Sequence, residues 1–214
     1  MKLHGALLGS LLILLVSGCA SLQTSSDFQA GRNALLTGKS EVALSYFQSV
    51  AEKDPGYRHG SAYRQGILSY LGRAEYAVGR LPQAQKTLER ALAANRDEDL
   101  ARLYLGLTLA RSGEQQRGVR EIENGLKGIN GFIEYVTEAH RFSFGQFWDP
   151  SGALRSSIRQ ELAALSGSEG RLETLIASAE TIGKQMEEEI DRAQSDETRE
   201  RSRQDGGGEG GSQP

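Results

Sequence analysis

The sequence predicts an all-α fold of about three helix pairs, followed by capping helices and a disordered tail. Apolar residues recur at steps of three and four, which is the spacing of one face of an α-helix. Glycines and apolar residues in the middle of the chain also recur at a fixed distance. Only four prolines interrupt the 214 residues, so little prevents long helices.

Residues 1–18 have the pattern of a secretory signal peptide. Lys2 supplies a positive charge, an apolar run follows from residue 6 to residue 16, and small residues come next. The run is too short to span a bilayer permanently. The segment Val16-Ser17-Gly18-Cys19 resembles a bacterial lipobox. That resemblance implies a lipoprotein in which Cys19 receives diacylglycerol and palmitate chains and becomes the mature N-terminus.

Residues 19–26 are expected to form a lipidated tether. Two or more acyl chains give stable anchoring. The residue after Cys19 is Ala20 rather than aspartate, and by resemblance to known lipoprotein sorting this implies the periplasmic face of the outer membrane. The alternative is an ordinary signal peptide cut near Ala20, with Cys19 removed. Since Cys19 is the only cysteine, no intramolecular disulfide is possible and apolar packing must hold the core.

Residues 27–128 contain an internal repeat. Units two and three are offset by 34 residues, and units one and two by 41, with the extra residues in the connector 55–62. Each unit has a small residue inside its first helix, where it lets two helices approach closely. These residues are Gly31, Gly72 and Gly106. Each unit also has a turn glycine suited to a left-handed helix end. These are Gly38, Gly79 and Gly113.

The second helix of each unit carries apolar or small residues at i, i+4 and i+7. They are Ala43, Phe47 and Val50, then Ala84, Leu88 and Ala91, then Gly118, Ile122 and Gly125. Glycine lowers helix stability. We therefore expect the third unit, with its two glycines, to be the loosest.

This period and these positions resemble the tetratricopeptide repeat (TPR) family, whose unit is a helix–turn–helix. The resemblance implies a solenoid with a concave groove that receives a peptide or a partner helix. The large aromatic residue that the family has early in the first helix is replaced here by Leu68 and Arg102. The first helices would line the groove, and the partner-binding residues that the resemblance implies are Asn33, Arg73, Tyr76, Arg102 and, less directly, Tyr104.

Residues 129–167 are expected to form aromatic-rich capping helices after a glycine-punctuated break at 125–131. Four of the six phenylalanines and the only tryptophan fall within 132–148. This cluster has two interpretations. In the first, it covers the apolar surface that the last unit of a repeat stack leaves exposed. In the second, it is a recognition patch in which Phe147 and Trp148 anchor a partner.

Residues 168–203 are predicted to form a long helix, amphipathic at first and then charged. Its apolar stripe is Leu172, Leu175, Ile176, Ala179, Ile182, Met186, Ile190 and Ala193. The stripe packs back on the repeats or pairs with a partner helix, and packing back is favoured for its first half. After Met186 we expect the helix to project into solvent, with residues 187–189 (three glutamates) as a solvated face rather than a metal site. Residues 204–214 read as a disordered tail.

Composition and motifs argue against several classes of function. The net charge of -3, without a basic cluster, argues against nucleic-acid binding. His59 and His140 lie far apart without metal-ligand spacing, and His59 is expected at the surface. No nucleophile or phosphate-binding motif is present, so no enzyme, cofactor or metal is predicted.

Two functions follow from the resemblance. The first is a lipid-anchored periplasmic scaffold for a protein partner in outer-membrane or envelope assembly. The alternative is a small-ligand-binding repeat lipoprotein associated with a solute transporter. In the alternative, Gly118 and Gly125 make room for a cavity that residues 142–148 line. An open concave face would favour the scaffold, and a closed apolar pocket the carrier.

Overall fold

The computed structural model describes residues 22–165 and 172–206, and it confirms the all-α repeat fold. The signal segment, Cys19 and residues 207–214 of the expected tail lie outside the described residues. Within these residues the chain forms eight α-helices. They are α1 (22–36), α2 (Ser40–Lys53), α3 (Ile67–Ala77), α4 (Leu81–Ala94), α5 (Asp99–Arg111), α6 (Gln115–Ala139), α7 (Ala153–Leu165) and α8 (Leu172–Gly206).

The first three helix pairs are α1–α2, α3–α4 and α5–α6, and a glycine turn joins the helices of each pair. Gly38, Gly79 and Gly113 have φ of 76°, 79° and 94°, so all three are in the left-handed region that glycine adopts without strain. The residue after each glycine donates its N–H to the carbonyl five residues before it, at 2.8–2.9 Å. The predicted turn glycines are therefore confirmed as helix C-caps.

The glycine inside each first helix lies against the second helix of its own pair. A Cβ placed on Gly31 would come within 2.8 Å of the Phe47 ring, and one on Gly72 would come within 2.5 Å of Leu88. In the third unit a Cβ on Gly106 would meet the backbone nitrogen of Ile122 at 2.4 Å. The aligned residues of the repeat thus contact one another in the same way in each unit.

The glycines of the second helix in unit three do not loosen it. Cβ atoms on Gly118 and Gly125 would lie 2.6 Å and 2.7 Å from the backbone nitrogens of Ala110 and Leu103. Both glycines therefore allow α5 and α6 to pack backbone against backbone. No space remains beside them, so the cavity that the carrier hypothesis places there is absent from this part of the structure.

Helix α6 is continuous through residues 125–131, so the break expected there is wrong. The helix keeps a buried stripe on one face, and this packing outweighs the weak helix propensity of glycine. The stripe consists of Ile122, Leu126, Ile129, Ile133 and Val136. As a result α6 extends well beyond the end of α5, and the capping region begins as the same helix.

The connector between the first two units contains a short hairpin that the sequence analysis did not predict. Strands β1 (Arg58–His59) and β2 (Gln65–Gly66) pair antiparallel. Beside them Tyr63 is buried, and its hydroxyl accepts a hydrogen bond from the N–H of Leu100 at 3.2 Å. The hairpin therefore ties the first two units to the start of α5.

Two further expectations about helix ends are corrected. Residues 22–26 belong to α1 rather than to a tether, and Thr24 is buried within it. At the other end, α8 does not leave the core after Met186. Glu187, Ile190 and Ala193 are also buried, at 1%, 1% and 2% exposure. The apolar stripe of α8 packs back on the fold, as one of the two interpretations predicts, and it contacts α5 and α6 of the repeats as well as α7 and residues 144–147 of the capping region.

Candidate functional site

The inner face of the repeats is covered by α8, which runs antiparallel to α3 and α5. Its residues contact first helices of all three units in succession. Glu180 binds Tyr76 and Arg111, Gly183 lies on Tyr104, Glu187 binds Arg73, and Asp191 binds Arg32. The groove is therefore largely filled, because the chain's own last helix lies where the resemblance to the TPR family would place a peptide.

A buried carboxylate on α8 is held by two arginines of the repeats. Glu187 pairs with Arg32 of α1 and with Arg73 of α3, each at 2.7 Å. The side-chain amide of Gln65 donates a third hydrogen bond to it at 2.8 Å. The face of the Tyr70 ring lies beneath Arg73, with the guanidinium carbon 5.1 Å from the ring centroid. We call Arg32, Gln65, Arg73 and Glu187 the inner clamp.

The inner clamp fixes the charge of its members. Burial alone would raise the pKa of Glu187, but Arg73 and Arg32 outweigh it and bring the pKa down to about 2. Burial works to lower the pKa of Arg73, yet the Glu187 carboxylate outweighs it and raises that pKa. The expectation that Glu187 is solvated is wrong, because its charge is neutralised by the repeats rather than by water.

Part of the groove remains open beside the inner clamp. A cavity of ≈ 270 Å³ lies between the end of α1, the inner faces of α3 and α5, and α8. Its walls are Leu35, Leu36, Ser40, Arg73, Tyr76, Ala77, Tyr104, Arg111, Glu180 and Lys184. We call this space the groove cavity. The side chains of Arg111 and Lys184 are 45% and 59% exposed, so it opens to the surface.

Cations and aromatic rings dominate the groove cavity. Three cations line it, and each has a carboxylate partner: Arg111 pairs with Glu180 at 2.7 Å, Lys184 with Glu188 at 3.7 Å, and Arg73 with Glu187 of the inner clamp. The Arg111 guanidinium also lies 5.0 Å from the centroid of the Tyr76 ring. The buried Nε of Arg73 has no hydrogen-bond partner among the described residues. Such a wall suits a group with negative charge and a flat or apolar body.

The structure brings together only part of the predicted partner-binding set. Arg73, Tyr76 and Tyr104 all line the groove cavity. Asn33 is exposed on α1 and does not line it. Arg102 points to the other side of α5, where it pairs with Glu121 of α6 at 3.2 Å. Whether any of these residues binds a partner stays a prediction.

The aromatic cluster is mostly part of the core. Trp148 is 3% exposed and packs edge-on against Phe132, and Phe147 is partly buried against the same cluster. The exposed aromatic residues of this region are instead Phe142, at 87%, and Tyr135, at 61%. Trp148 therefore contributes to the cap, and the surface that a partner could reach is formed by its neighbours.

Arg32, Gln65 and Glu187 were not among the site residues that the sequence predicted. The repeat alignment contained a signal for the first of these, because Arg32 and Arg73 each directly follow the glycine inside a first helix. Equivalent repeat positions face the same side of the solenoid, so two arginines there predict a shared anion. Glu187 gave no such signal, since it lies in a run of three glutamates. His59, expected at the surface, is half-buried against Phe28.

Within residues 22–165 and 172–206, no three His, Cys, Asp or Glu side chains are placed to hold a metal ion. In the same ranges no helix is long and apolar enough to cross a membrane.

Comparison with known families agrees with this geometry. Residues 34–106, from α1 to the middle of α5, match the family model described as "Tetratricopeptide repeat". No curated protein and no solved structure matches the chain. TPR units are protein-interaction repeats and are generally not catalytic. The matched segment contains two of the three glycine turns and Arg73 and Tyr76 of the groove cavity, and over this segment the chain is similar to tetratricopeptide repeats.

Proposed function

We propose that the protein is a lipid-anchored periplasmic scaffold that binds a protein partner through the groove cavity, in outer-membrane or envelope assembly. The groove cavity is the observation that carries the proposal, because it is an accessible part of a TPR inner face. The lipobox-like segment ending at Cys19 supports the location.

The chemistry of the groove cavity favours a particular kind of segment. Leu35 and Leu36 offer apolar contact at one side, and Arg111 and Lys184 offer charge at the other. A partner segment with an acidic side chain next to an apolar or aromatic one would satisfy both. Since α8 already presents a carboxylate to each arginine it covers, the inner face is suited to acidic helices.

Site-specific photo-crosslinking in intact cells tests the proposal. A photoreactive amino acid replaces Lys184 at the rim of the groove cavity, and Lys127 on α6 is the matched control. Both lysines are 59% exposed and each faces a glutamate four residues away. We expect one dominant envelope adduct from position 184 and none from position 127, and loss of that adduct with Arg111→Glu. Equal adducts from both positions, or no adduct from position 184, would contradict the proposal.

The size of the groove cavity supports a second candidate function. Its volume of ≈ 270 Å³ is close to the lower end of small-ligand pockets, which begin at roughly 300 Å³. A small anionic aromatic ligand would fit between Tyr76, Tyr104 and Arg111. Native mass spectrometry of the purified chain distinguishes the two functions. A bound small molecule that Arg111→Glu removes would favour the carrier.

A further inference from the structure

The start of α1 and the end of α6 lie at the same end of the solenoid. Helix α1 runs toward the turn at Gly38, and α6 runs away from the turn at Gly113. The ends of α3 and α5 that precede the turns at Gly79 and Gly113 are level, because Tyr76 and Arg111 both contact Glu180. Helices α1 and α3 are level as well, because Arg32 and Arg73 both pair with Glu187. The opposite end therefore receives the beginning of α1, the extension of α6 and the charged last turns of α8, in which Glu197 and Arg201 lie beside the connector at His59.

The connector hairpin bridges these two helices at that end. The ring of His59 packs at a tilt against Phe28 of α1, with centroids 4.8 Å apart. In the same connector, Tyr63 packs on Phe132 of α6 with centroids 4.7 Å apart. The residues of α1 before Phe28 and the residues of α6 after Phe132 therefore extend beyond the hairpin at the same end of the solenoid.

This end carries most of the large apolar side chains that the described residues expose. Leu22, Tyr135 and Phe142 are 73%, 61% and 87% exposed. We call these three residues the apolar end. The remaining large apolar side chain with such exposure is Val42, which lies near the Gly38 turn at the opposite end. Arg141 lies over the Phe142 ring at 4.6 Å from its centroid.

The length of chain before α1 indicates what covers the apolar end. Cys19 precedes Leu22 by only three residues. Three extended residues reach about 10 Å, since each spans roughly 3.3–3.6 Å. Acyl chains on Cys19 would thus hold the start of α1 within about 10 Å of a bilayer surface.

We propose that the apolar end rests in the interface of the lipid bilayer to which Cys19 is anchored. The inference relies on the lipid anchoring in the proposed function. Aromatic side chains are favoured at membrane interfaces, where one part of the ring is apolar and the other is wet. An arginine beside Phe142 can keep its charged head among the lipid headgroups. The solenoid then stands with the Gly38, Gly79 and Gly113 turns away from the membrane.

A fluorescent probe at the apolar end tests this orientation. The lipidated full chain is purified with Phe142→Cys and labelled with the dye NBD. Lipidation consumes Cys19, so the introduced thiol is the one that reacts. Val42→Cys is the matched control, because Val42 is also an exposed apolar residue. Both proteins are added to vesicles of phosphatidylethanolamine and phosphatidylglycerol, and vesicle flotation is measured in parallel.

We expect both proteins to float with the vesicles. Only the probe at position 142 should shift its emission to the blue. Aqueous dithionite should reduce that probe several-fold more slowly than it reduces the probe at position 42. Flotation with equal dithionite reduction at both positions would overturn the inference and leave the anchor intact. Failure to float would overturn the anchor and the inference together. An equal blue shift without vesicles would show that the apolar end pairs with a second copy of the chain, which also overturns the inference.

Discussion

Glu187 is a buried carboxylate on which two buried arginines depend. It neutralises Arg32 and Arg73, which are 5% and 3% exposed, and it is itself 1% exposed. Removing one partner from a buried ion pair costs about 3–5 kcal/mol, because the remaining charges stay buried without compensation.

We therefore expect Glu187→Gln to lower the free energy of unfolding by about 3 kcal/mol, measured by urea denaturation at pH 7. Glu188→Gln is the control, since the neighbouring side chain is 57% exposed and a surface change costs within about 0.5 kcal/mol. Because the folded pKa of Glu187 lies below its ordinary value, its stabilisation is present above about pH 4.5 and is lost as the pH falls toward 2. Equal effects of the two substitutions would contradict the buried clamp.

Asp99 has the opposite dependence on pH. Burial at the start of α5 raises its pKa to about 6, Asp97 adds to the rise, and Arg102 opposes it. A carboxyl with a raised folded pKa destabilises the fold when ionised, and this cost disappears once it is protonated. Its ordinary pKa is 3.8, so the cost grows between about pH 4 and pH 7.

Asp99→Asn should therefore be more stable than the parent chain at pH 8, by about 1 kcal/mol after solvent screening is allowed for. The advantage should vanish by pH 4. Urea denaturation at both values measures it, with the exposed Asp97→Asn as the control. An advantage that does not change with pH would show that the Asp99 carboxylate is not the cause.

At the scale of the element, α5 and α6 provide a pair of glycines with opposite expected effects. Gly106→Ala would place a Cβ 2.4 Å from the backbone of Ile122, and backbone cannot rotate away as a side chain can. We expect this overpacking to cost about 1–3 kcal/mol. Gly131→Ala lies in the same helix pair with nothing within 4 Å of the added atom.

Gly131→Ala should therefore raise stability by about 0.5–1 kcal/mol through better helix propensity. Thermal melts followed by circular dichroism compare the two variants. If both alanines stabilised the protein, the close approach of α5 and α6 would be refuted.

The helix pairs were predictable from the sequence because recurring glycines mark the turns between helices and the places where two helices approach closely. A turn needs a left-handed residue, and a close helix contact needs a missing side chain, so both recur with the repeat. The continuity of α6 was not predictable from its glycines. Gly125 and Gly128 serve contacts with Leu103 and Asp99, which lie far away in sequence.

At the scale of the whole molecule, the sequence predicted that α8 has a packing face but not which surface receives it. The stripe from Leu175 to Ala193 fits either a repeat groove or a partner helix, and the sequence favoured packing back only for its first half. Glu187 was misjudged because its partners are 155 and 114 residues away. Spacing along one helix carries no information about such contacts.

Truncation after Gly167 tests how much the fold depends on α8. Its buried side chains include Leu175, Ile182, Met186 and Ile190, and full burial of each contributes about 1.5–3 kcal/mol. That sum is comparable to the whole stability of a domain, about 5–15 kcal/mol. We expect the truncated chain to lose its cooperative melt, and truncation after Arg203 to keep it. An unchanged melt after the first truncation would assign α8 to a partner instead.

The position of α8 also limits how this protein can evolve. An ordinary solenoid changes length by duplicating or deleting a unit, because each unit contacts only its neighbours. Here one helix contacts Arg32 in the first unit, Arg73 in the second and Arg111 in the third. A gained or lost unit would leave at least one of these arginines facing the wrong residue of α8. The contacts of α8 therefore match a stack of three units and restrict the addition or loss of a repeat.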